Sequence, residues 1–88
     1  MEDIFIDNFE PYLTDRLTRL YFITIYHKPK DYSYEYMARI SYLFEGQIAK
    51  TPYCMHGTLK EIEDKIPMDM VDMPRLPEED PAIHSVYM

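Results

Sequence analysis

Two residue types capable of nucleophilic chemistry lie two positions apart in Cys54-Met-His56. Residues at this spacing share a face of an extended strand, and the partial positive charge at a helix start just after them would lower the pKa of a nearby thiol. Nucleophilic catalysis also needs a group that orients the imidazole and donors for an oxyanion, and no motif specifies either. We therefore expect a structural cysteine beside a surface histidine, with no catalytic residue and no enzyme activity.

The three histidines, His27, His56 and His84, are the other candidates for chemistry, as metal ligands. They fall in three separate predicted elements and show none of the short spacings typical of zinc sites. The single cysteine cannot form an internal disulfide or a multi-cysteine site, which is typical of a reduced, cytosolic protein. The sequence predicts no metal and no cofactor.

Carboxylates are concentrated towards the end of the chain. The acids Glu78, Glu79 and Asp80 are consecutive in a proline-bounded stretch, and Asp69 and Asp72 precede it. Hydration, rather than a tuned pKa, is the expected state of acids in such a loop, so they do not resemble an acid–base pair. We predict these five acids as partner-binding residues, because carboxylates can take the place of phosphates in a site that recognises nucleic acid.

Tyrosines are concentrated where the chain is basic. Residues 16–60 hold seven of the nine tyrosines and a net charge of +4, between acidic segments at 1–15 and 61–88. Aromatic rings and cations on a sheet stack nucleic-acid bases, so a small single-stranded nucleic-acid-binding domain is the alternative function, although a net charge of -7 opposes it. Tyrosine is also enriched at protein interfaces, and Tyr34 and Tyr36 share a predicted strand face. We predict these two as partner-binding residues.

Length and composition limit the elements that can position these residues. The chain has 88 residues, of which 47% are hydrophobic, which suits one small domain with a thin core and excludes large catalytic architectures such as a βα barrel. No segment reaches the length of a membrane span, and the opening Met-Glu-Asp lacks the basic start of a signal peptide. We expect a soluble protein of the cytoplasm, with no membrane partner.

The middle of the chain predicts strands. Residues 19–27 are apolar on both faces, which is typical of a central strand, and residues 34–44 alternate in a pattern with one largely wet face. Glu45-Gly46-Gln47 is the expected turn. Residues 48–55 predict a poorer strand, which Pro52 places at an edge.

A capping box predicts the start of the helix. Thr58 and Glu61 stand three residues apart, so each side chain can bind the backbone N–H of the other. The helix ends at Ile66, and Leu59 and Ile62 face the sheet.

Further strands are expected within 68–73 and 82–88. The predicted fold is α+β: a small antiparallel sheet of about 4–5 strands with one short helix on one face, in the order ββ(β)αββ. Residues 1–88 form a single domain, with an acidic N-terminal arm at about 1–15.

Six short strings carry a resemblance to known proteins: His27-Lys-Pro-Lys-Asp-Tyr32, Tyr36-Met-Ala-Arg39, Thr58-Leu-Lys-Glu-Ile62, Ile66-Pro67, Met73-Pro-Arg75 and Asp80-Pro-Ala-Ile83. Together they resemble a group of small, mostly uncharacterised proteins encoded by phages and mobile elements. The resemblance covers about residues 19–88, and departs where that group ends on a tryptophan, since Tyr87 stands there. It implies a phage or mobile-element origin and the order ββ(β)αββ, and it supplies no reaction.

Together these patterns predict a non-catalytic protein-binding module that acts by occluding a surface. The expected setting is a phage or mobile-element inhibitor of a host defence or nucleic-acid-processing protein, similar to an anti-CRISPR. The partner is a host or phage protein in the cytoplasm of the host cell, and a small core also favours a homodimer. The residues leave open whether the acids or the tyrosine-bearing strand make the contact.

Overall fold

The computed structural model describes residues 3–13, 15, 19–27, 36–73 and 83–88. Within these residues six strands form one mixed sheet, accompanied by an α-helix and a short 3-10 helix, so the predicted α+β class is confirmed. In chain order the elements are β1 (Ile4–Phe5), the 3-10 helix (Glu10–Tyr12), β2 (Tyr21–His27), β3 (Tyr36–Phe44), β4 (Gln47–Gly57), α1 (Leu59–Lys65), β5 (Asp72–Met73) and β6 (Ile83–Tyr87).

The order of strands across the sheet is β1-β4-β3-β2-β6-β5. All neighbours are antiparallel except β1 and β4, which are parallel. The prediction of 4–5 antiparallel strands in the order ββ(β)αββ was therefore wrong in number and order. Both edge strands, β1 and β5, contain only two residues, too few to show a period of two in the sequence.

The β3–β4 hairpin turns through two residues, Glu45 and Gly46, with φ of 50° and 78°. Positive φ at both central positions is typical of a type I′ turn, whose twist matches that of the flanking strands. The predicted turn is thus correct at Glu45 and Gly46, while Gln47 already belongs to β4.

Strand β4 is longer than predicted, and β1 pairs with it at Tyr53 and Cys54 alone, so within the described residues its first part, 47–52, lies at the sheet edge as Pro52 indicated. Pro52 is accommodated by a bulge in which residues 51–53 lie opposite Ile40 alone. A bulge tolerates proline because the local ladder is already interrupted. The Thr51 hydroxyl donates to the Ile40 carbonyl at 2.7 Å and so satisfies a backbone acceptor there.

The core lies on the face of the sheet that packs against α1, which we call the covered face. It contains the fully or almost fully buried side chains of β2, β3 and β4, together with one from the helix and two from the N-terminal segment. The N-terminal segment is thus an integral part of the core. The members are Phe9, Leu13, Ile23, Ile25, Ala38, Ile40, Met55 and Ile62.

The helix forms as the capping box predicts. The Thr58 hydroxyl accepts from the Glu61 N–H at 3.2 Å, and the Glu61 carboxylate accepts from the Thr58 N–H at 3.3 Å. Ile62 is fully buried and Leu59 is half-buried against the core. The helix ends at Lys65, with Ile66 as its C-cap. In the described part of the chain, no helix has the length and hydropathy needed to cross a membrane.

We call the opposite face of the sheet the open face. Residues paired across neighbouring strands share a face, so the register assigns Phe22, Met37, Ser41 and Cys54 to it. The sequence predicted that β3 has a largely wet face here. That is wrong in the middle of the sheet, where Met37, Ser41 and Cys54 are buried.

Candidate functional site

Exposed apolar side chains cluster on the open face near the β3–β4 turn and the β5 edge. Leu43 and Ile48 pair directly across the hairpin, and the Leu43 N–H donates to the Leu20 carbonyl at 3.0 Å, which extends this row onto β2. Val71 and Met88 exchange two backbone hydrogen bonds at the other edge. These five residues, 41–67% exposed, are called the open-face patch.

The patch is continuous across the sheet. Half-buried Phe22 lies between its two halves, since extension of the β2–β6 register places Phe22 opposite Met88. From Ile48 on β4 to Val71 are four strand spacings of about 4.8 Å, or roughly 19 Å. Apolar patches of this extent on a small protein are typical of interaction surfaces.

Charges divide unevenly between the two sides of the sheet. On the covered side and its connections the described residues include eight exposed acids and three bases, a net charge of -5. On the open face they include Asp3, Arg39 and Lys50, a net charge of +1, and exposed Glu45 lies at the tip of the β3–β4 hairpin. The acids are Asp7, Glu10, Asp15, Glu61, Glu63, Asp64, Asp69 and Asp72, and the bases are Arg19, Lys60 and Lys65. One side of the described fold is therefore acidic, and the other carries almost no net charge.

Arg39 fastens the N-terminal segment to the open face. Its guanidinium donates to the Asp3 carboxylate at 2.7 Å and to the Thr51 carbonyl at 2.9 Å, and the Arg39 and Asp3 side chains are 14% and 23% exposed. A charge-assisted pair in this partly buried setting positions β1 beside β4. Its role in the described fold is structural.

Cys54 lies under the same ion pair and is fully buried. Burial raises the pKa of the Cys54 thiol, with a further increase from the Asp3 charge and a smaller, opposite effect from Arg39. The sequence suggested that a helix start lowers this pKa, but desolvation dominates because the thiol has no contact with solvent. His56 lies instead against the Phe5 ring, with centroids 4.9 Å apart.

Tyr36 lies on the covered face between two of the histidines. Its ring stacks on His27 with centroids 4.8 Å apart and meets His84 edge-on at 5.5 Å. A bulge in β6 beside Ile25 brings His84 to this side. The tyrosine is half-buried against the core, and among the described residues no group of three metal-ligating side chains occurs. His27 and His84 thus pack around an aromatic ring.

The predicted acids separate into two sets. Asp69 and Asp72 are exposed, in the connection after α1 and in β5, and Asp72 pairs with Tyr87 on the covered face. The structure does not bring either to the open-face patch. Glu78, Glu79 and Asp80, like Tyr34, lie outside the described residues.

A surface pocket of about 220 Å³ lies between the end of β4 and α1. Its lining combines Met55 and Ile6 with charged or titratable groups from three segments: Asp7, His56, Glu61 and Lys65. Glu61 is already engaged in the helix cap, and the lining residues include no serine, threonine or cysteine. The pocket is a polar depression between β4 and α1.

The open-face patch was missed by the sequence reasoning. The alternation places Leu43 on the wet side of β3, which is the correct face. A single leucine on such a face is common and does not indicate an interaction surface. The patch becomes visible when Leu20, Leu43 and Ile48 are seen to lie side by side on neighbouring strands, and that alignment requires the strand register. Val71 and Met88 join them only through a pairing between distant parts of the chain.

Comparison of the whole chain with models of protein families, with curated proteins and with solved structures gave no match.

Proposed function

We propose that the protein is a non-catalytic binding module that occludes a cationic, phosphate-recognising surface of a partner protein with its acidic, covered side. The observation that carries this proposal is the separation of charge across the sheet, with eight acids and three bases among the described residues on the covered side. A concentrated negative field steers association with a basic surface and mimics the charge of a nucleic-acid backbone.

The setting that we propose is a phage or mobile-element inhibitor of a host defence or nucleic-acid-processing protein. The resemblance of the turn and cap strings to small phage-encoded proteins supports this setting. A stoichiometric mechanism is supported by Cys54, because a buried thiol with a raised pKa is a poor nucleophile.

The positions of the tyrosines favour this function over single-stranded nucleic-acid binding. Stacking needs open rings beside cations, whereas five of the six described strand tyrosines lie on the covered face, where they pack beside the core or one another, and the sixth, Tyr26, is half-buried on the open face. Those five are Tyr21, Tyr36, Tyr42, Tyr53 and Tyr87. The Arg19 guanidinium lies over the Tyr42 ring, 4.8 Å from its centroid, and its Nε also lies 3.9 Å from the Asp15 carboxylate.

The test begins with affinity capture of the tagged protein from its host and identification of the co-purifying partner by mass spectrometry. Association of the two purified proteins is then measured against salt concentration. The double variant Asp69→Asn, Asp72→Asn keeps side-chain size and removes two charges, and Glu78→Gln, Glu79→Gln, Asp80→Asn removes three more. We expect slower association and a weaker salt dependence with each variant, at unchanged melting temperature.

Glu45→Gln is the matched control, since it removes one acid at the hairpin tip, away from the covered side. It is expected to leave the association rate nearly unchanged. Salt-independent association, or an equal effect of the control and of the Asp69→Asn, Asp72→Asn variant, would contradict the proposal. A salt-sensitive mobility shift of a labelled single-stranded oligonucleotide by the pure protein would favour the nucleic-acid function instead.

A further inference from the structure

The open-face patch has no role in the proposed acidic contact, because it lies on the other side of the sheet. Its members are 41–67% exposed, although the middle of the same face is closed around Met37 and Cys54. Leucine, isoleucine, valine and methionine side chains without a cover cost free energy in water, and a continuous set of them favours a partner that removes them from it.

The charge distribution determines which face two copies of the chain can share. Each copy carries a net charge of -7, so two copies repel one another most strongly through the acidic, covered sides. On the open face the described charges are Asp3, already paired with Arg39, and Lys50, and Glu45 lies next to the patch at the hairpin tip. Two copies can therefore meet through this face with the acidic sides turned outwards.

The geometry is also suited to a two-fold axis. In an isologous interface the same patch serves both copies, so an apolar row on one copy packs on the equivalent row of the other. Two sheets pack face to face about 10 Å apart with their side chains interdigitated. A standard interface buries about 800 Å² on each partner, which is roughly 13% of the 6076 Å² accessible surface of this chain. The five residues of the patch, 41–67% exposed, form the centre of such an interface, with half-buried Phe22 and Val86 at its rim.

We infer that a second copy of this chain covers the open-face patch and that the protein is a sheet-to-sheet homodimer. The dimer has a four-layer arrangement in which the two sheets form the centre and the two helices lie outside. Each outer side presents one set of acids, so the dimer offers two equivalent acidic surfaces.

The experiment measures molar mass by light scattering and sedimentation over a range of protein concentrations. The chain has a mass of 10.6 kDa, and we expect a dimer of twice that mass that dissociates on dilution. Ile48→Lys places a charge within the patch and is expected to raise the dissociation constant of the dimer at least about tenfold. Phe44→Lys is the matched control, because Phe44 lies on the same hairpin with nearly the same exposure, 54% against 55%, but on the covered face. It is expected to leave the dimer intact.

Val71→Lys tests the same face at the opposite edge of the sheet, and circular dichroism of each variant establishes that it is folded. Loss of the dimer in both Ile48→Lys and Val71→Lys, with Phe44→Lys still dimeric, supports the inference. A monomer at all concentrations overturns it, even if the patch captures an unrelated protein. Loss with Ile48→Lys alone also overturns it, since that result indicates edge pairing through β4. The acidic contact uses the other side, so failure of the dimer leaves the salt-dependence test intact.

Discussion

The two faces of this sheet differ in what covers them. The covered face carries tyrosines and branched aliphatics and is closed by α1 and the N-terminal segment, whereas the open face is closed only in the middle and exposes leucine, isoleucine, valine and methionine at one end. Apolar content alone does not separate the two faces. The difference teaches that the short flanking segments, rather than the strands, decide which face is core.

Two phenylalanines of the N-terminal segment give the strongest test of which face forms the core. Phe9 is fully buried on the covered side, while Phe5, four residues earlier, is 49% exposed on the open face. Phe9→Ala is expected to lower the free energy of unfolding by about 3 to 5 kcal/mol, most of the stability of a small domain. Phe5→Ala is the control and should cost much less. Both free energies are measured by urea unfolding. If Phe9→Ala lowers the free energy of unfolding no more than Phe5→Ala does, the burial of Phe9 does not stabilise the core.

The helix gives the next largest effect. Ile62 is fully buried against the sheet, and Ile62→Ala is expected to cost about 2 to 5 kcal/mol. Leu59 on the same helix is only half-buried, so Leu59→Ala should lower the stability less. Thermal melts of both variants measure this. A larger loss from Leu59→Ala would mean that the helix is rotated about its axis.

The capping box supplies a smaller contribution. Thr58→Ala removes the acceptor of the Glu61 N–H and leaves a seven-residue helix with a weaker start. We expect a loss of about 1 kcal/mol. Thr58→Ser keeps the hydroxyl and serves as the control, with a melting temperature close to that of the parent. Equal melting of the alanine variant and the parent would argue that docking on the sheet, and not the cap, fixes the helix start.

The smallest effect is a pH dependence on the covered side. The Tyr87 hydroxyl donates to the Glu63 carboxylate at 3.1 Å, and burial, this hydrogen bond and the Glu63 charge raise the pKa of Tyr87 to about 12. Because the folded-state pKa lies above the ordinary tyrosine value of 10.0, the stabilisation is fully present below about pH 10 and is lost as the pH rises towards 12.

Unfolding midpoints in urea at about pH 9 and about pH 11 test this sign. The parent is expected to lose stability between the two, and Tyr87→Phe to lose less. Some alkaline sensitivity should persist in that variant, because burial and the hydrogen bond to Asp15 raise the pKa of Tyr21 in the same direction. An identical loss in parent and variant would show that Tyr87 ionises equally in both states.

The sequence alone determined the elements whose causes are local. The capping box needs only Thr58 and Glu61, three residues apart, and the hairpin turn needs a glycine at one position of positive φ, so both could be predicted before any contact was known. The central strands β2 and β3 followed from β-branched and aromatic residues in a period of two.

The pairing of these elements, and the side chains that they leave exposed, depend on contacts made in the tertiary structure. Two-residue strands have no periodicity, so the pairing of Ile4–Phe5 with β4 arises from contacts across the fold rather than from local preference. Burial at Cys54 reversed the direction of the pKa shift that its place before a helix suggests. The open-face patch exists because the register of separate strands aligns Leu20, Leu43 and Ile48. No local pattern carries that information, since a single apolar residue at the surface looks the same with or without its neighbours.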